Sequence, residues 1–213
     1  MKYLLIILVT ILFSGEIKAQ KTLTYKDKIF TYNVVLKMDS TNNKWDSDGF
    51  IQSISIYKIA DKKLVQTIMP PKNSTSITLP SDQIFILDDM NFDGYNDFSI
   101  IELLPAGPNI PYFCWTFNPK SQQFQRDTCL EAISSPNFDH KHKLITSFWR
   151  SNYCDHGFST YKYINGKLTL ITEDETACDF NHPEIYTITS KRLVNGRMKL
   201  IKKIIIKDKI NGK

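Results

Sequence analysis

The sequence predicts an all-β fold of antiparallel hairpins in a small propeller-like or sandwich arrangement. Three observations carry this prediction. β-Branched and aromatic runs recur along the chain, and most alternate with period two, as in Ile51-Gln52-Ser53-Ile54-Ser55-Ile56-Tyr57 and Ile185-Tyr186-Thr187-Ile188-Thr189. Turn residues interrupt these runs at short, regular intervals. No segment sustains the 3.6-residue apolar period of an amphipathic helix.

Taken in order, the expected strands are residues 29–35, 51–59, 64–69, 83–87 and 98–103. Residues 113–116 and 124–129 flank a turn at 118–121, and the series continues with 144–149, 158–164, 168–172, 185–193 and 198–206. Their punctuation is Asn42-Asn43, Pro70-Pro71, residues 91–94, Asn118-Pro119, Asn165-Gly166 and Asn195-Gly196. The two Asn-Gly pairs are type I′ hairpin signals, because both central residues need positive φ. This count of strands is too small for five four-stranded blades, so a propeller would need reduced ones. The final run is rich in lysine, which suits an edge strand protected against further pairing.

The start of the chain reads as a secretory signal peptide over residues 1–19. Met1-Lys2 supplies positive charge, residues 3–13 an apolar stretch too short to span a membrane, and Ala19 a small residue at the cleavage position. Residues 20–213 then form a single all-β domain, exported to the periplasm or secreted, with no membrane span. The net charge is +5, and the surplus is local: residues 197–213 hold seven Lys or Arg and one Asp. A basic edge strand in an exported protein is a solvated edge rather than a nucleic-acid site.

The four cysteines, Cys114, Cys129, Cys154 and Cys178, fit two disulfides in an oxidising compartment, among three possible connectivities. Hairpin register selects one. A turn centred between Ser121 and Gln122 sets Cys114 opposite Cys129. The Asn165-Gly166 turn sets Cys154 opposite Ala177, one residue from Cys178, an offset that a bulge corrects. Cross-strand neighbours have the Cα separations a disulfide accepts. The expected bonds are therefore Cys114–Cys129 and Cys154–Cys178.

Asp89-Met90-Asn91-Phe92-Asp93-Gly94-Tyr95-Asn96-Asp97 reads D-x-N-x-D-G-x-x-D. Carboxylates and a carboxamide at near-alternate positions suit a hard cation that takes six to eight oxygen ligands, and Gly94 permits the sharp turn. An EF-hand would have flanking helices and a Glu at the twelfth position, where this chain has Ile100. The expectation is a calcium loop between two strands. Its ligands are the side chains of Asp89, Asn91, Asp93 and Asp97 with the Tyr95 carbonyl, and the ion is structural.

No catalytic constellation emerges: G-x-S-x-G, H-E-x-x-H and Gly-rich phosphate loops are all missing from the sequence. His140-Lys141-His142 beside Asp139 reads as turn polarity. The expectation is a protein that is not an enzyme. Aromatics in or beside turns, including Phe92, Tyr95, Tyr112, Trp149, Tyr153 and Phe158, point to contacts with a partner instead.

The ordered series of motifs resembles the periplasmic inhibitors of lysozyme-like peptidoglycan hydrolases, among them the immunity proteins that protect bacteria from lysozyme-like effectors delivered by type IV secretion. The resemblance covers residues 84–172. It rests on the 89–97 loop, Asn109-Ile110-Pro111-Tyr112 leading to Trp115, and Ser135-Pro136-Asn137-Phe138-Asp139 with Lys143-Leu144-Ile145-Thr146-Ser147. Arg150-Ser151-Asn152-Tyr153, Tyr161 and Asn165-Gly166-Lys167-Leu168 complete it. It implies an all-β domain that inserts a loop into a glycan-cleaving cleft, with a lysozyme-like hydrolase as its protein partner. In such inhibitors a Ser-Gly segment followed by Tyr forms the inserted loop. Here Ser151-Asn152-Tyr153 matches, with Asn in place of Gly, and Asn tolerates positive φ better than most residues. The partner-binding residues so implied are Arg150, Ser151, Asn152 and Tyr153. The alternative is an exported calcium-dependent glycan- or protein-binding module without inhibitory activity, using the same aromatics.

Overall fold

Three antiparallel meanders follow one another along the chain. The computed structural model describes residues 20–38, 49–71, 81–179, 181–182 and 184–207. The expected signal peptide and the Asn42-Asn43 turn lie outside the described residues. The first sheet runs β1 (Gln20–Lys26), β2 (Phe30–Met38), β3 (Gly49–Lys58) and β4 (Leu64–Ile68). A single helical turn, α1 (Ser81–Ile84), leads into the second sheet: β5 (Phe85–Asp88), β6 (Asp97–Ile101), β7 (Tyr112–Asn118) and β8 (Gln123–Arg126). After a second turn, α2 (Thr128–Glu131), come β9 (Pro136–Asp139), β10 (Leu144–Arg150), β11 (His156–Ile164), β12 (Lys167–Cys178), β13 (Ile185–Val194) and β14 (Arg197–Lys207). These six form the third sheet, also in chain order. Among the described residues no helix is long and apolar enough to cross a membrane.

The second sheet is the middle layer of a sandwich, which is why all five residues of β6 are buried. One of its faces, with Phe85, Phe98, Trp115 and Phe124, packs on Phe30, Tyr32, Val34, Ile54 and Ile56 of the first sheet. Phe98 stacks on Phe85 and Trp115 at 5.0 and 5.1 Å between ring centroids. Such pairs contribute about 0.5–1.5 kcal/mol beyond their buried area. Gln66 of β4 joins the layers, donating to the Phe124 carbonyl (3.1 Å) and accepting from its amide (2.9 Å). The opposite face, with Met90 and Cys114, meets Leu130, Ile133 and Ile145, against which Phe138, Tyr161 and Tyr163 pack.

Strands β1 and β9 were not anticipated. β9 begins at Pro136 and lies at the sheet edge, the place where a strand tolerates a missing amide donor. Gly157 of β11 is required by close approach: a Cβ there would lie 2.8 Å from the Asp174 carbonyl and the Trp149 ring.

Hairpin register decides the cysteines. The Asn165-Gly166 turn pairs Ile164 with Lys167, a bulge between Thr160 and Tyr161 shifts the ladder by one residue, and His156 then lies opposite Thr176. That shift brings Cys154 to Cys178, and the two form a disulfide with Cα atoms 5.8 Å apart. The other expected pairing is corrected: Cys114 is a buried free thiol and Cys129 an exposed one. The β7–β8 turn is centred one residue earlier than expected, with Asn118 opposite Gln123, because the Asn118 Oδ1 accepts from the amides of Lys120 and Ser121. Asp127 therefore takes the place opposite Cys114, its amide donating to the Cys114 carbonyl (2.9 Å). It also caps α2 by accepting from the Cys129 and Leu130 amides, so Cys129 leaves the strand. Burial, then the nearby carboxylates of Glu131 and Asp127, push the Cys114 thiol well above the usual range.

Candidate functional site

The two candidate sites expected from the sequence lie at different places on the fold. The 89–97 loop closes the β5–β6 hairpin, in which Asp88 pairs with Asp97. Phe92 and Gly94 carry its two left-handed conformations (φ 62° and 93°). The acidic residues fold onto the loop's own amides. Asp89 accepts from the amides of Asp93 (2.9 Å) and Gly94 (2.8 Å), Asn91 from Asp93 (3.0 Å), and Asp93 from Tyr95 (2.9 Å). The loop is moored to the third sheet by the Asp88–His140 contact (2.7 Å) and by Lys143, whose Nζ donates to the Phe92 carbonyl (3.2 Å). The Tyr95 ring rests on Phe117, with centroids 5.3 Å apart.

Asp97 behaves differently from the other acids. It is fully buried, accepting from the Met90 amide (3.0 Å) on one oxygen and from the Phe117 amide (2.8 Å) on the other. Burial, with the charges of Asp93 and Asp89, pushes its carboxyl up to about 7, against the opposing pull of the two amides. The half-buried Asp89 and the exposed Asp93, with Asn91, thus present hard oxygen donors on one small loop, a donor set whose chemistry fits calcium. Asp97 lies beneath them as an internal tie. Among the described residues, the trio of thiol, imidazole or carboxylate side chains whose atoms gather within 4.8 Å is Cys154, Asp155 and Cys178, where both sulfurs are spent on the disulfide.

The second site is the β10–β11 turn. Arg150 does not project freely: its Nε donates to the Asn152 carbonyl (2.9 Å) and its Nη2 to that of Tyr153 (3.1 Å). Asn109 clamps the base of the turn, accepting from the Arg150 amide (2.9 Å) and donating to its carbonyl (2.7 Å). Asn152 is not among the residues with positive φ. Its side chain builds an Asx turn instead, accepting from the Cys154 and Asp155 amides and donating to the Asp155 carboxylate. Asn in place of Gly thus changes how the turn is held. Asp155 in turn accepts from the Cys178 amide (3.0 Å), beside the disulfide.

What this scaffold presents is Tyr153, 82% exposed. Behind it lies an open groove of about 360 Å³ lined by Phe148, Arg150, Tyr153, His156 and Phe158. Phe148 and Phe158 face each other across the strands at 4.9 Å between centroids, and Phe158 is 58% exposed. The sequence reading missed Phe148 and His156 as companions of Tyr153. The signal was present: Phe148 and Arg150 alternate with the inward Ser147 and Trp149, and His156 and Phe158 with Gly157.

No family model matches the chain, and no curated protein does either. Its fold is similar to that of a solved structure from Xanthomonas, described as a type IV secretion system related protein. The TM-score is 0.59 at 19% identity, over 87% of this chain and 98% of that one.

Proposed function

We propose that this chain is an exported, calcium-stabilised inhibitor or immunity protein directed at a lysozyme-like peptidoglycan hydrolase, and that it engages the enzyme through the β10–β11 turn. The observation that carries the reading is the posture of Tyr153: a large aromatic held outside, on a turn fixed by Arg150, Asn109, Asn152 and a disulfide. A pre-ordered loop loses little entropy on binding, and an exposed Tyr with aromatic neighbours is the usual composition of an interface hot spot. The disulfide suits an oxidising, exported setting. The fold likeness to a type IV secretion related protein agrees with an immunity role.

The purified chain, residues 20–213, is expected to suppress turbidity clearing by a lysozyme-like hydrolase. Tyr153→Ala should weaken inhibition by about 30-fold, as for a hot-spot residue worth ~2 kcal/mol. No inhibition across a broad panel of such enzymes, including any encoded beside this chain's gene, sinks the reading.

For the metal, Asp89, Asn91 and Asp93 with the Tyr95 carbonyl would hold calcium, and Asp97 would support the loop from below. The ion supplies charge neutralisation and ties the two strands together. With Kd near 10⁻⁴ M, as in exported modules, 10 mM calcium should add about 2.7 kcal/mol and raise Tm by roughly 5–10 °C. Asp93→Ala should remove that rise. A wild-type Tm indifferent to calcium overturns the assignment.

A further inference from the structure

The outer face of the first sheet forms a second surface, remote from the β10–β11 turn in sequence and built from different chemistry. Its strands alternate between the bulges at Val35/Leu36 and Ile56/Tyr57. Leu23, Tyr25, Tyr32, Val34, Ile54 and Ile56 point into the core, so their neighbours point out. One outward row is short and polar and lies in cross-strand register: Thr24 opposite Asn33, Asn33 opposite Ser55, Ser55 opposite Thr67. Thr24 Oγ1 donates to Asn33 Oδ1 (3.1 Å), and the Ser55 and Thr67 hydroxyls lie 3.4 Å apart. The adjacent row is Lys26, Thr31 and Tyr57. The β3–β4 turn adds Lys58 and Lys62 at the rim. It is fixed by amide bonds from Lys62 to the Lys58 carbonyl, from Lys58 to the Lys63 carbonyl, and from Ile59 to the Ile29 carbonyl, all 2.8–2.9 Å.

Thr24 and Asn33, the adjacent row, and Lys58, Ile59 and Lys62 of the turn line an open groove of about 460 Å³ with no carboxylate in its lining, a volume in the range of ligand sites. Among the described residues, Lys26, Lys58 and Lys62 make no ion pair, whereas Asp61 outside the groove pairs with Lys63 (3.6 Å). Three ammonium groups, a tyrosine ring and a ladder of hydroxyl and amide groups thus face solvent on a stiff support.

We propose that this groove binds a carboxylate-bearing glycan strand. Tyr57 offers a flat apolar face for a sugar ring and a hydroxyl for its edge. Thr24, Thr31 and Asn33 offer the mixed donors and acceptors that sugar hydroxyls match. Strands spaced about 4.8 Å apart repeat this pattern at a distance close to one sugar unit of an extended glycan. The lysines act as point charges for carboxylates spread along the polymer, a task that does not need the bidentate fork of arginine. The choice of peptidoglycan as the source of the strand rests on the proposed function; the groove's chemistry does not.

Calorimetric titration of residues 20–213 tests this with three probes and no hydrolase present. The probes are peptide-free peptidoglycan strands, which carry a lactyl carboxylate on every second sugar, chitohexaose as the neutral counterpart, and inorganic phosphate. The carboxylate strands should bind at least about tenfold more tightly than chitohexaose, and the gap should narrow as salt rises. Lys58→Gln combined with Lys62→Asn should cost about tenfold for the carboxylate strands and little for chitohexaose. Tyr57→Ala should weaken both. Tyr153→Ala, which addresses the inhibitor reading, should leave glycan binding unchanged, so the two ideas fail separately. Absence of binding to the strands, equal binding to chitohexaose, or displacement by millimolar phosphate overturns the proposal.

Discussion

Replacing Asp97 with alanine should destabilise the domain by roughly 3–5 kcal/mol and lower Tm by about 10 °C, even with calcium removed by a chelator. The size follows from what the carboxylate holds. Its two oxygens accept from amides on different segments, Met90 in the loop and Phe117 in β7, in a fully buried place between the second and third layers. Alanine strands both donors without water to replace the lost acceptor, and each unsatisfied buried group costs about 1–3 kcal/mol. Asparagine is expected to fall between, since its oxygen serves one amide while its NH2 opposes the other. Asp93→Ala supplies the contrast. Its partners lie in the exposed loop, so under chelation it should cost less than about 1 kcal/mol. Chemical denaturation of the three variants decides the matter. If Asp97→Ala is harmless without calcium, Asp97 is only a ligand and the internal tie is wrong.

Asp97 also marks where sequence and fold part company. Its place in D-x-N-x-D-G-x-x-D is that of a ligand, and nothing local distinguishes it from Asp93. Its burial is set by tertiary packing, through the third sheet that covers β6 and through the Phe117 amide twenty residues away. The hairpins, by contrast, were legible because their determinants are local. The two Asn-Gly turns fix the register of the β11–β12 and β13–β14 hairpins, and the positive φ values of Asn165, Gly166, Asn195 and Gly196 match the turn type. The Cys154–Cys178 bond was foreseen only through an assumed one-residue slip, which the bulge at Thr160/Tyr161 provides. The same arithmetic failed for Cys114 and Cys129 because two competing local signals, the Asn118 side chain bonding the turn amides and the Asp127 cap, moved the turn and ended the strand. In the β10–β11 turn the role expected for Arg150 depended on contacts that the sequence does not display: read as a group offered to a partner, it spends its guanidinium on the carbonyls of Asn152 and Tyr153.

The Cys154→Ser/Cys178→Ser double variant is expected to lose about 3.5 kcal/mol by the chain-entropy estimate for a 24-residue separation. Where that loss appears depends on the surroundings. Strands β12 and β13 hold no fully buried side chain and β14 is mostly exposed, so this end of the third sheet leans on hairpin hydrogen bonds and on ion pairs such as Lys191–Glu173 (2.7 Å) and Arg192–Asp174 (2.9 Å). Pairs of this kind, partly open to solvent, contribute little each. Without the disulfide, the Asp155 contact to the Cys178 amide is the remaining side-chain link from the β10–β11 turn to the end of β12 that the described bonds supply. Amide exchange should therefore accelerate by more than about tenfold across residues 151–156 and 172–178, while the buried β6 and β7 stay protected, as expected when opening is local. Inhibition should weaken in parallel, because a loosened turn must be ordered again each time Tyr153 is seated. Hydrogen exchange and inhibition measured on the same double variant test both steps. Faster exchange with unchanged inhibition removes Tyr153 from the interface, and unchanged exchange with an unchanged denaturation midpoint removes the disulfide from the turn's support.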